Sequence, residues 1–220
     1  MAKFFSTLFL PLTLTFLFSS LVTAKPTSYS QRISPTSLGF HEEKLTHLHF
    51  YFHDVVSGPN PTMLILTNPP KSKIGLPFGT VVAIEDPLTL GPEPDSKVIG
   101  TAQGIYTSVC KDEMQLMMVM TFAFTEGEFN GSTLSVLGRN LIEIPVREMP
   151  IIGGTGAFRF ARGYAQTNFE FIDFSKGDAI VEYNVYVSHY STAYSAPTKS
   201  FDDDGLKYMV DPLLNQRSAN

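Results

Sequence analysis

Between Lys44 and Tyr190 the chain has almost no helical period. It is cut instead into runs rich in Val, Ile, Thr, Phe and Tyr by clusters of Gly, Pro, Asn and Asp. β-Branched and aromatic side chains fit a pleated, half-buried surface and the clusters supply turn geometry, so the pattern predicts an antiparallel all-β domain. Candidate strands are Lys44 to Val56, Thr62 to Thr67, Phe78 to Asp86, Lys97 to Ser108, Glu113 to Thr125, Thr133 to Gly138, Leu141 to Arg147, Ala157 to Phe174 and Asp178 to Tyr190. Glu126-Gly127 leads into Asn130-Gly131, and Ser175-Lys176-Gly177-Asp178 joins the last two runs as a hairpin. Gly153-Gly154-Thr155-Gly156 reads as a flexible crossing that opens a strand; it lacks the Lys-Ser/Thr of a phosphate-binding loop. Strands in this number predict a closed, eight-stranded antiparallel β-barrel, because closure removes exposed sheet edges. Such a barrel is either filled by side chains or encloses one small ligand.

The ends of the chain read differently. Lys3 precedes an apolar run from Phe4 to Val22, broken by Pro11, Thr13 and Thr15 and closed by the small residues Val22 and Ala24. This is the pattern of a secretory signal peptide over residues 1–24, and it predicts a chain exported to the extracellular space with no membrane span after cleavage. Residues 25–43 and 191–220 are rich in Ser, Thr and Pro or in acid, without periodicity, and read as flexible flanks of a domain over residues 44–190. Leu206, Tyr208, Met209 and Val210 leave open a short docked segment in the tail.

A net charge of −5, with both signs spread along the chain, does not suit a nucleic-acid partner. The single cysteine, Cys110, excludes an intrachain disulfide, so stability rests on the core or on oligomerisation. Abundant Phe and Tyr supply flat apolar surface, for a thick core or for a pocket that takes aromatic ligands.

Candidate chemistry follows from the period of two. Leu48, Phe50, Phe52 and Asp54 share one face of the first strand, with the carboxylate ending an apolar stripe. If that face is interior, Asp54 is desolvated, favours its protonated form and suits a general acid; alternatively it caps the turn from Val55 to Pro59. His47, His49 and His53 share the opposite face, but their span along a strand is too great for one ion, and no metal site is expected. Phe158, Phe160, Arg162 and Tyr164 lie at even positions of the run from Ala157, so Arg162 is expected among three rings. Its guanidinium either pairs with a core carboxylate or polarises a phenolic oxygen. Gly100, Ala102, Gly104 and Tyr106 share a face whose small residues either leave room for a ligand below Tyr106 or permit close strand packing. Met114 to Phe124 reads as ordinary core or a contact between subunits. Asn130-Gly131-Ser132 is an acceptor for N-linked sugar at Asn130.

Three longer stretches carry a resemblance. They are His49-Phe50-Tyr51-Phe52-His53-Asp54, the run from Phe129 to Asn140, and the run from Arg147 to Ala165, in that order, with Gly104-Ile105-Tyr106 and Tyr183-Asn184-Val185-Tyr186-Val187 beside them. Together they resemble the plant dirigent proteins over about Lys44 to Tyr190. The resemblance implies an eight-stranded barrel like that of allene oxide cyclase, a homodimer or homotrimer, export to the apoplast and glycosylation. It also implies cofactor-free action on phenolic molecules: a separate oxidase makes monolignol radicals, such as those of coniferyl alcohol, and the barrel directs their stereoselective coupling to optically active lignans. The pocket residues it implies are Asp54 and Arg162, with Tyr106 beside them; Phe50, Phe52, Phe158, Phe160 and Tyr164, which share their stripes, are expected to bind the substrate. Pinoresinol-forming members carry an aspartate where this chain has Ala157, and a cysteine pair that it lacks. The sequence is thus closer to the other branch, and the alternative function is a cofactor-free dehydratase that forms pterocarpans from isoflavanols through a quinone methide.

Overall fold

The computed structural model describes residues 29–70, 75–191, 198–201 and 207–210, and the expected signal peptide lies outside the described residues. Residues 29–34 belong to an N-terminal unit, residues 1–34, and have no regular secondary structure. The second unit starts at Pro35. Its described strands are β1 (Glu43–Asp54), β2 (Met63–Ile65), β3 (Val81–Thr89), β4 (Val98–Ser108), β5 (Gln115–Phe124), β6 (Thr133–Leu141), β7 (Arg147–Thr155), β8 (Arg162–Ile172), β9 (Ala179–Tyr190), β10 (Thr198–Phe201) and β11 (Lys207–Val210). Neighbours run antiparallel from β3 through β9 to β1, and β1 pairs back onto β3 at Tyr51 with Thr89 and Phe52 with Leu88. Eight strands therefore close an antiparallel barrel, with the short β2 added on the outside edge of β3. In the segment read as a flexible tail, β10 and β11 pair with each other as a separate two-stranded sheet.

Alternation along each strand decides what fills the barrel. β9 buries Ala179, Val181, Tyr183, Val185, Val187 and His189 and turns the residues between them outward. β5 does the same with Leu116, Met118, Met120, Phe122 and Phe124, which are core. At mid-barrel the Phe50 ring stacks on Tyr183 with centroids 5.6 Å apart, and Phe122 meets both rings edge-on. Such pairs contribute about 0.5–1.5 kcal/mol each beyond the apolar area they bury, and here they close the inner end of the cavity described below.

Two expectations about backbone change. β7 runs from Arg147 to Thr155, and residues 142–146 form the preceding turn, so the strand lies later than the expected Leu141 to Arg147. The Gly153-Gly154-Thr155 stretch is strand, followed by a 3-10 turn at Gly156–Phe158 and by Phe160 with φ of 60°. β8 consequently starts at Arg162 rather than Ala157. Of the two readings of the small-residue stripe, close strand packing holds at Gly100 and Gly104. A Cβ on Gly100 would lie 2.3 Å from the Ala123 carbonyl oxygen, and one on Gly104 would lie 2.3 Å from that of Val119.

Candidate active site

A cavity of about 300 Å³ occupies the end of the barrel where β1 finishes and β9 begins. Its walls are mainly apolar, with Phe52, Leu116, Met118, Phe169, Ile172 and Val181 among the lining residues. A register shift between Phe169 and Phe171 leaves Glu170 as an extra residue in β8, so that Phe169 and Ile172 both reach the cavity while Phe171 is exposed. The β8–β9 hairpin, with Ser175, Lys176 and Gly177, and the segment at Gly75 and Leu76 form the mouth.

Polar groups enter this wall from several strands. Asp54 comes from the inward stripe of β1, and its Oδ2 accepts a hydrogen bond from the Tyr106 hydroxyl of β4 at 3.4 Å. Its Oδ1 is buried without a partner. Desolvation pushes the Asp54 pKa up to about 6, against the Tyr106 hydrogen bond and with help from the nearby Asp178 charge. Behind it, Asp86 of β3 is fully buried, with Oδ1 accepting from the Thr62 hydroxyl and Oδ2 unpartnered. Burial first, and then the negative charge of Asp54, raise the Asp86 pKa to about 8. The two carboxyls interact and titrate as a coupled pair, both held above the ordinary carboxylate range. Burial also pushes the Tyr106 and Tyr183 hydroxyls far up, so both remain neutral donors. Asn140 completes the polar lining with its Oδ1 buried and unpartnered.

Among the described residues, Arg147 is the buried arginine. It starts the inward stripe of β7, is 1% exposed, and lies with its guanidinium carbon 3.9 Å from the Phe169 ring centroid. Nη1 donates to the Ile144 carbonyl at 3.4 Å, while Nε and Nη2 have no partner in the protein. Burial lowers its pKa and the neighbouring Tyr183 opposes that change.

The structure thus brings Asp54, Tyr106 and Phe52 together at one cavity and disperses the other expected site residues. Phe50 lies in the aromatic layer beneath. Arg162 is turned outward with its side chain 66% exposed, in an ion pair with Glu43 at 2.6 Å. The late start of β8 sets this phase: Ala165 and Thr167 face in, and Arg162 and Tyr164 face out. Tyr164 stacks on Tyr186 at 5.1 Å on the outer surface. Phe160 is 67% exposed and meets Phe40 edge-on. Phe158 is buried at the opposite end of the barrel, against Phe124, Phe129 and His189. None of these five lines the cavity. The histidines of β1 are engaged separately: His47 with Asn184 at 2.9 Å, His49 with Glu182 at 2.8 Å and buried His53 with Thr89 at 2.8 Å.

Sequence reasoning missed Asp86, Arg147 and Asn140. The signal was the one that found Asp54, a polar residue on an apolar stripe: Val82, Ile84, Asp86, Leu88; Arg147, Met149, Ile151; Leu134, Val136, Gly138, Asn140.

The family model for Dirigent-like protein matches residues 45–188, the whole of the closed barrel but its outermost residues. The chain belongs to the dirigent protein family. Among similar proteins, Pterocarpan synthase 1 of Glycyrrhiza echinata is 66% identical to this dirigent protein over 187 residues, covering 84% of this chain and 98% of its own. Pterocarpan synthase 1 of Glycine max is 65% identical over 192 residues, covering 86% and 100%, and Dirigent protein 21 of Arabidopsis thaliana is 45% identical over 190 residues, covering 86% and 100%. A solved pterocarpan synthase dirigent protein superposes with a TM-score of 0.69 at 68% identity, covering 74% of this chain and all of that one.

Proposed function

We propose that this dirigent protein is a cofactor-free dehydratase that closes the pterocarpan ring on an isoflavanol. The observation that carries the reading is the desolvated Asp54, hydrogen-bonded to Tyr106 and set in a cavity of about 300 Å³, in a chain 65–66% identical to pterocarpan synthases over the matched residues. That volume is at the small end for ligand pockets and suits one isoflavanol skeleton better than two separate phenols. The similarity to pterocarpan synthases at 65–66%, against 45% for Dirigent protein 21, favours this alternative over the directed lignan coupling first expected.

In the proposed step the protonated Asp54 donates to the benzylic hydroxyl of the isoflavanol, the carbon–oxygen bond breaks and water leaves. Electrons from the ring phenol stabilise the cation as the conjugate acid of a quinone methide, the ring phenol keeping its proton. The phenol oxygen of the pendant ring then attacks the same carbon, closing the new ring, and its proton restores Asp54. Nothing is oxidised or reduced. Tyr106 holds the carboxyl in place, the apolar wall excludes bulk water, and the shape of the cavity fixes which face is attacked.

Self-association of this phenolic-binding barrel as a dimer or trimer is supported by the outer face, where Ile105 lies opposite Val119 and Val119 opposite Leu137, all partly exposed. Export to the apoplast rests on the leader over residues 1–24, and a glycan at Asn130 on its exposed turn position. The deciding experiment supplies purified protein with an isoflavanol and no oxidant and follows products by chiral chromatography. Accelerated ring closure with one enantiomer consumed supports the dehydratase. Enantiomeric excess that arises only from coniferyl alcohol with an added oxidase returns the function to directed coupling.

A further inference from the structure

Asp178 precedes β9 in the hairpin after β8 and takes no part in the chemistry above. Its Oδ1 accepts the backbone N–H groups of Val56 and Ser57, both at 2.8 Å, and its Oδ2 accepts the Ser57 hydroxyl at 2.5 Å. Three donors from one dipeptide converge on one carboxylate, an arrangement that favours its ionised form. The dipeptide follows Asp54 by two and three residues, and Asp54 itself is paired with Ala179, the neighbour of Asp178. At Gly177, φ is +91° and a Cβ would lie 3.3 Å from Val56, so hairpin and strand exit are in close apposition at the mouth that both line.

We propose that Asp178 is the positioning residue of this acid site: it pins the exit of β1 so that the Asp54 carboxyl meets cavity and Tyr106 together, and it places a fixed negative charge beside that carboxyl. This rests on the dehydratase reading for the role of Asp54. The groups facing Asp54 from the packed elements are Asp86 of β3, Tyr106 of β4, Tyr183 of β9, and Lys176 and Asp178 of the hairpin. The Ser57 hydrogen bonds hold the Asp178 pKa below the ordinary range, so it is charged wherever Asp54 titrates, and that charge works with burial to keep the proton on Asp54.

The test compares Asp178→Asn, which keeps an acceptor but loses the charge, with Ser57→Ala, which loses one hydrogen bond but keeps the charge. Asp54 is titrated in each full-length protein by carboxyl-carbon NMR, with Asp54→Asn to assign its signal, and the pH profile of ring closure is recorded beside it. In Asp178→Asn the Asp54 midpoint moves to lower pH and the alkaline limb of activity moves with it. In Ser57→Ala the melting temperature falls while the midpoint stays. An unmoved midpoint in Asp178→Asn, or equal movement in both variants, overturns the inference. Asp178→Ser, also uncharged, replaces Asp178→Asn if that variant does not fold; failure of both to fold marks the residue as structural only and overturns it too. Absence of ring closure in the unmodified protein sinks the dehydratase reading, whereas the NMR titration still decides this one.

Discussion

Tyr106 donates its hydroxyl to Asp54 at 3.4 Å across the barrel wall, from strands separated by β3. β3 contributes the buried Asp86 between them. The site is thus a desolvated acid held by a neutral phenol: burial, helped by the Asp178 charge, raises its pKa, and the phenol's hydrogen bond positions the carboxyl while opposing that rise.

Asp54→Asn removes the transferable proton and preserves shape. Ring closure is expected to fall by roughly a hundredfold to ten-thousandfold, the usual worth of a general acid. The melting temperature holds or rises, because a desolvated ionisable group is removed; turnover assays and thermal melts check both.

Activity should follow the acid form of Asp54. With a pKa of about 6, the rate is high below that pH and declines above it, as seen in kcat/KM profiles.

Stability has its own pH dependence. Asp86 has a pKa of about 8 in the fold against 3.8 for the free group. The native state therefore holds the proton more tightly, so its contribution is whole below pH 3.8, erodes as pH rises and is lost above about 8. Asp86→Asn should flatten that loss, with a gain on the order of a few kcal/mol above pH 8 in urea titrations.

The two arginines should behave oppositely. Arg147→Ala leaves a void beside Phe169, and the lost packing is expected to outweigh relief of a desolvated cation, at a cost of about 3 kcal/mol in denaturant melts. Arg162→Ala breaks a surface pair with Glu43 and is expected to leave turnover and product handedness unchanged on chiral chromatography.

Gly163→Ala probes the wall itself. A Cβ there would lie 2.0 Å from the Tyr186 carbonyl oxygen, so β8 and β9 must separate; a loss of about 3 kcal/mol or more is expected in the same melts.

The period of two in the sequence determined the all-β class and the stripe that carries Phe52 and Asp54, because alternation along a strand is a local property of the backbone. Local chemistry likewise marked the hairpin at Ser175 to Asp178. Tertiary structure alone decided where each alternation starts. A 3-10 turn at Gly156–Phe158 and a left-handed Phe160 delay β8 and turn Arg162 to solvent, and the later start of β7 puts Arg147 inside instead. The same pleat that makes a strand legible inverts every side chain when its first residue is misplaced by one. Which stripes then face a common hollow, as those of Asp54, Asp86 and Tyr106 do, is fixed only by strand order and closure, which no local pattern encodes.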